Sequence, residues 1–196
     1  MISIAVILFF ISNFFFISLI ESLTYTKSII SFGKIQSIAN FYETFFEENQ
    51  WWRLVTPIFI HFDLVHLAFN CLWIYILGKK IERIDGKVIF ICIVIFSAIA
   101  SNSLQYYWTG FPNFGGLSGV VYGLLAFCMI LEMESKYQRY DLPPALYLFM
   151  IFWLILGFLG ILELFTFSKI ANFAHLGGLV SGMMFGMMYK YYKKIS

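Results

Sequence analysis

A chain of 196 residues, 61% of them hydrophobic and only 12% charged, with a mean hydropathy of +0.82, falls outside the composition of soluble domains and inside that of proteins whose solvent is lipid. A net charge of +2, from Lys and Arg scattered over loops, gives no electrostatic footprint for a nucleic-acid partner. Long apolar runs broken by short charged or Gly/Pro stretches, rather than the brief alternating segments of a barrel, predict an all-α membrane protein with one helical domain over residues 1–196.

The first span runs from Met1 to about Ile20. It has no basic leading segment and no small-residue cleavage site, so it reads as a retained helix, not a removable signal peptide. About forty residues follow, long enough to form structure of their own, and they carry Trp51, Trp52 and other aromatics suited to a membrane interface. Further apolar runs occupy roughly Pro57 to Gly78, Val88 to Trp108, Leu117 to Leu131, Ala145 to Leu162 and Ala174 to Tyr189, giving six spans. Cys71, Cys92 and Cys128 lie inside different runs and read as small core hydrophobes, not disulfide or metal partners.

Lys and Arg in the loops set the orientation, because they prefer the cytoplasmic side. Lys79, Lys80, Arg83, Lys87, Lys136, Arg139, Lys190, Lys193 and Lys194 fall on one side, nine of the thirteen basic residues, against Lys27, Lys34, Arg53 and Lys169 on the other. Both termini are therefore expected in the cytoplasm, and the second, fourth and sixth helices run inward from the outer face. Counting back from the charged marker at each inner end gives thirteen residues from Lys79 to His66, fourteen from Glu132 to Ser118 and fifteen from Lys190 to His175. At about 1.5 Å per residue the three side chains stand at one height, about 20 to 22 Å from the inner markers. In a hydrocarbon core of about 30 Å that is about 8 Å or more below the outer surface.

Polar side chains at such a depth face a bundle interior or a wet cavity, where they usually act. A lone Ser or His in a membrane helix is more often a packing or helix-to-helix bonding residue; four such groups at adjacent heights reverse that preference. Asn70 lies one turn below His66, and Tyr122 stands in the same relation to Ser118. The chemistry open to this layer is acyl transfer. Ser118 is the nucleophile and His175 the base that takes its proton. Asp63 belongs above His66 near the surface, so a Ser-His dyad is expected, with Tyr122 holding the imidazole by ring packing. The Ser118 N–H opens its helix unpaired, and with His66 and Asn70 it supplies donors for an oxyanion. Gly119 and Gly123, facing Gly178, Gly182 and Gly186, form small-residue patterns that let the fourth and sixth helices approach closely.

The run Gly116-Leu117-Ser118-Gly119, with His175 opening an HxxGxxxG pattern through Gly178 and Gly182, resembles the rhomboid family of intramembrane serine proteases, and its bacterial GlpG-type members in particular. The resemblance extends to His61-x4-His66-Leu67-x2-Asn70, to Trp52-Arg53, to Glu82-Arg83 with Gly86, to the stretch from Pro112 through Tyr122, and to Ala171-Asn172 before Ala174-His175. It implies a six-helix rhomboid-like bundle that cleaves transmembrane or juxtamembrane segments of membrane proteins. Its site residues would be the Ser118-His175 dyad, an oxyanion hole of the Ser118 N–H, His66 and Asn70, and the supporting residues Tyr122, Gly116 and Gly119. It further implies no metal or organic cofactor, and residence in the bacterial inner membrane with the site toward the outer side. Trp52-Arg53 would belong to a loop lying partly in the outer leaflet, Glu82-Arg83 to a structural network on the cytoplasmic side, and His61 would be structural.

Against the family pattern, the chain begins directly at its first helix, without the cytoplasmic N-terminal domain of some relatives, and its fifth outer loop, about Glu163 to Phe173, is longer than usual. Phe69 and Trp73 on the second helix and Phe149 and Trp153 on the fifth are each four apart, forming aromatic ridges. With the resemblance placing those two helices side by side, they are candidates for a lateral gate. The competing reading is a catalytically silent rhomboid-like factor that binds or routes membrane proteins. Such proteins usually lack the serine or the histidine, and both stand here.

Overall fold

Two glycines at positive φ, Gly86 (+94°) and Gly110 (+66°), bracket the longest helix among the described residues. Only a residue without a Cβ adopts these angles without strain, so each end of that helix is fixed by local chemistry. The computed structural model describes the backbone of residues 1–14, 17–31, 34–133, 138–166 and 169–193. Lys136 and Lys194, both counted toward sidedness, lie outside the described residues, as do positions 15–16 of the first span and 167–168 of the fifth outer loop.

The helices are α1 (Ile2–Phe14), α2 (Ile17–Leu23), α3 (Leu64–Ile84), α4 (Lys87–Thr109), α5 (Ser118–Glu132), α6 (Pro144–Phe158), the one-turn α7 (Glu163–Thr166) and α8 (Asn172–Lys193). α3 and α4 are long and apolar enough to cross a membrane, and residues Ile2–Ile11, α5 and α6 are shorter apolar helices. The expected structured stretch after the first span contains an antiparallel hairpin of β1 (Ser28–Ser31) and β2 (Lys34–Ile38), followed by a π-turn and two 3-10 turns. This hairpin qualifies the all-α expectation.

The second span begins later than the apolar run implies. Pro57 sits in a 3-10 turn (Thr56–Phe59), and α3 starts only at Leu64, where the Asp63 carboxylate accepts the His66 N–H at 2.7 Å. That is a side-chain cap satisfying one of the free donors of a first helical turn. His61 therefore lies in the connection before α3, not on the helix as the run suggested.

α5 is the axis of the bundle: nearly all its residues are buried, and α3, α4, α6 and α8 pack on it. Buried Arg53 organises the segment before α3. Its Nη1 donates to the carbonyls of Glu21 (2.7 Å) and Thr24 (2.8 Å), and its Nε to Gln50 Oε1 (2.6 Å). At the opposite end the expected network forms on other residues. Glu82 and Arg83 are exposed. The polar knot instead uses Asp85, which accepts from Arg139 Nη2 and from the Tyr140 hydroxyl (2.6 Å), and Glu132, which accepts from the Tyr140 N–H (2.7 Å) and the Tyr147 hydroxyl (2.6 Å). Burial above all pushes the Tyr140 phenol far up, so it stays a neutral donor. Of the three cysteines Cys128 is buried in the core and half-buried Cys71 packs against it, while Cys92 is exposed on α4, which corrects the core reading for that residue.

Candidate active site

The chain turns into α5 at Gly116, whose φ is +118°. A Cβ there would stand 2.7 Å from His66 Cε1 and 2.9 Å from His66 Nε2, so glycine is required both by the angle and by the imidazole lying over it. Ser118 is the first residue of α5, and its N–H has no acceptor within the helix.

His175 comes from the first turn of α8, which two side chains fix. Asn172 Nδ2 donates to the Gly157 carbonyl of α6 at 2.8 Å, and the Ala174 N–H donates to Gln105 Oε1 of α4 at 3.0 Å. One turn on, α8 meets α5 backbone to backbone: a Cβ on Gly178 would lie 1.9 Å from the Gly119 carbonyl oxygen, and one on Gly182 would lie 2.1 Å from that of Gly123. The approach brings Ser118 Oγ and His175 Nε2 to 2.8 Å. That is the reach a base needs to take a hydroxyl proton. The Tyr122 ring stacks on the imidazole at 4.7 Å and 18°, and its hydroxyl is anchored on the Met150 carbonyl of α6 at 3.2 Å.

α3 forms the opposite wall, with His66 over Gly116 and buried Asn70 one turn below. Asn70 Nδ2 lies 3.6 Å from where a Gly116 Cβ would be, hence beside the turn that carries Ser118. Ser118, His175, Tyr122, Gly116, His66 and Asn70 thus come together. Gly119 lies where three helices meet: a Cβ there would stand 2.5 Å from Ser101 Oγ of α4 and 3.1 Å from the carbonyl oxygen of Ala174, the residue before His175 on α8. The gate candidates pair within their own helices, Phe69 with Trp73 at 6.1 Å and Phe149 with Trp153 at 5.3 Å. Among the described residues no ring contact joins one pair to the other.

Sequence reading passed over Gln105 and Asn102, the latter of which donates to the Leu54 carbonyl at 2.8 Å, and gave Asn172 only as part of a family motif. The signal was present on α4: Ser97, Ser101, Asn102 and Gln105 recur at helical spacing within an apolar helix, and all four are buried. Such a stripe must face protein, not lipid.

The family model for the Rhomboid domain matches residues 48–192. The rhomboid protease GlpG of Yersinia pestis (strain Pestoides F) is 38% identical over 135 residues, covering 69% of this chain and 47% of that protein. The same figures hold for rhomboid protease GlpG of Yersinia pseudotuberculosis (serotype O:3, strain YPIII) and of Serratia proteamaculans (strain 568). The chain spans about half the length of the curated relatives it matches.

Proposed function

The chain belongs to the rhomboid family, and on that premise we propose that it is an intramembrane serine endopeptidase acting on transmembrane or juxtamembrane segments of other proteins. The observation that carries this reading is the 2.8 Å contact between Ser118 Oγ and His175 Nε2. Ser118 Oγ attacks the scissile carbonyl carbon while its proton passes to His175 Nε2. The electron pair displaced onto the carbonyl oxygen is met by the Ser118 N–H, Asn70 Nδ2 and His66. Collapse of the intermediate expels the amine, which takes the proton back from His175. Water, deprotonated by the same imidazole, then releases the acyl group from Ser118 and regenerates the dyad. Tyr122 takes the orienting part that a carboxylate plays in a triad.

In this reading the single domain crosses the bacterial inner membrane six times, through α1 with α2, α3, α4, α5, α6 and α8. Both termini are cytoplasmic and the dyad opens toward the outer side. α3 and α6 both pack on α5, and in this reading a substrate segment passes between them from lipid to Ser118. The test is incubation of purified protein with a fluorescent transmembrane reporter: cleavage by the wild type that disappears in Ser118→Ala supports it, and an uncut reporter overturns it.

A further inference from the structure

His61 sits outside α3 yet is buried, and three partners converge on its ring. Nδ1 lies 3.2 Å from the Phe59 carbonyl oxygen, and Nε2 lies 3.3 Å from Asn70 Nδ2 and 3.5 Å from the Leu117 N–H nitrogen. A carbonyl oxygen can only accept and a backbone N–H can only donate. The tautomer protonated at Nδ1 satisfies all three partners. The alternative sets donor against donor at Leu117 and acceptor against acceptor at Phe59. Nε2 of His61 is therefore a fixed acceptor.

That acceptor decides which way the Asn70 amide points. Were Asn70 turned over, its Oδ1 would face the Nε2 lone pair, so Nδ2 must face His61. A primary amide nitrogen carries two hydrogens. One is taken by His61, and the other remains for the space beside Gly116 and Ser118. Without the acceptor, the amide could rotate and present Oδ1, which repels a developing oxyanion where Nδ2 would stabilise it. The same Nε2 also accepts from Leu117, so a single ring ties the residue before the nucleophile to the amide across from it.

We infer that His61 is a positioning residue for the acyl-transfer step, fixing Asn70 with its amide N–H toward the oxyanion and steadying the Leu117–Ser118 turn. The inference rests on the protease reading above. Deleting an oxyanion donor costs about a hundred- to a thousandfold in kcat, and misorienting one costs a part of that.

The test compares His61→Phe, which keeps the ring and removes the acceptor, with His61→Gln, whose amide oxygen reaches toward the Nε2 position. Both are made in wild-type and Asn70→Ala backgrounds. On a transmembrane reporter, the expected result is a kcat about tenfold lower for His61→Phe at unchanged KM. His61→Gln should recover to within about threefold of wild type, and His61→Phe should cost less than about twofold once Asn70 is Ala. An unchanged kcat in His61→Phe, or the same loss with and without Asn70, overturns the inference. If His61→Phe does not fold, His61→Met against His61→Gln makes the same comparison, since Met offers only a weak acceptor. The rate of Ser118 labelling by a fluorophosphonate, read on the same variants, separates the two claims. Failure of wild type to cut any reporter defeats the protease reading, and a labelling rate indifferent to His61 defeats this one.

Discussion

Gly178 of α8 lies against the carbonyl of Gly119 on α5, so close that a Cβ on Gly178 would stand 1.9 Å from that oxygen. The obstacle is backbone, not a side chain that can swing away, so a methyl group can be admitted only by moving one helix from the other. Overpacking of this kind costs about 1–3 kcal/mol. The same movement opens the Ser118–His175 contact, whose donor and acceptor sit on those two helices. Gly178→Ala should therefore lose fluorophosphonate labelling and melt lower. Gly186→Ala, whose nearest new neighbour is the Ile130 side chain at 3.0 Å, should stay close to wild type in both. Equal behaviour of the two variants would mean that close approach of α5 and α8 does not set the dyad.

Ser118→Ala and His175→Ala should each abolish cleavage while leaving an inserted protein with a near-wild-type melting transition, because each removes half of a unit that acts together. A fluorophosphonate or isocoumarin probe should label Ser118 in the wild type and fail to do so without His175. Residual turnover in purified Ser118→Ala comparable to wild type would sink the dyad.

Asn70→Ala should lower kcat by about a hundred- to a thousandfold with KM little changed, since the lost donor acts on charge that exists only in the transition state. A rise in KM at constant kcat would make Asn70 a substrate-binding residue instead.

Gln105→Leu tests the anchor under the first turn of α8. It removes one of the two acceptors of the Ala174 N–H, the other being the Ala171 carbonyl at 3.0 Å, so the loss is that of one hydrogen bond, about 0.5–1.5 kcal/mol. For a chain of this size the melting temperature should fall by about 2–4 °C per kcal/mol. The catalytic rate should fall with it, because His175 is the next residue. Gln105→Glu, which keeps an acceptor oxygen, should retain more of both. Identical losses in the two variants would argue for packing alone.

Much of this candidate site was legible because the polar residues it gathers are ones an apolar chain cannot carry idly. Ser118 and His175 were found by depth counting, and Tyr122 by its one-turn spacing from Ser118. What escaped was whatever depends on loops. His61 reads as the start of a span because Pro57–Ile60 is apolar, yet the proline and the Asp63 cap start the helix only at Leu64, freeing His61 to reach Asn70 and Leu117. Glu82-Arg83 looks like the seed of a polar knot, but the turn at Gly86 directs Asp85 inward instead, and its partners Arg139 and Tyr140 come from a loop more than fifty residues on. Cys92 shows the limit of hydropathy itself: a lipid-facing side and a buried side of one helix are equally apolar, so pattern alone does not divide them.

Phe69 and Phe149 are both half-exposed, at 52% and 46%, and among the described residues the aromatic ring that each pairs with is the tryptophan one turn along its own helix. The four gate candidates thus form two separate ridges, on α3 and α6, two helices that both pack on α5. On the proposed gate reading, such ridges would resist entry by the bulk they place in the path, not by ring-to-ring attraction that must be broken. Phe149→Ala with Trp153→Ala should then raise the rate on a transmembrane substrate severalfold by clearing the path, and leave a short soluble peptide unaffected because it reaches Ser118 from the aqueous side. A disulfide engineered between α3 and α6 should slow the transmembrane substrate selectively and be reversed by reductant. The measurement is a paired rate comparison in bilayers. Equal effects on both substrates, or none on either, would leave the four rings as lipid-facing bulk.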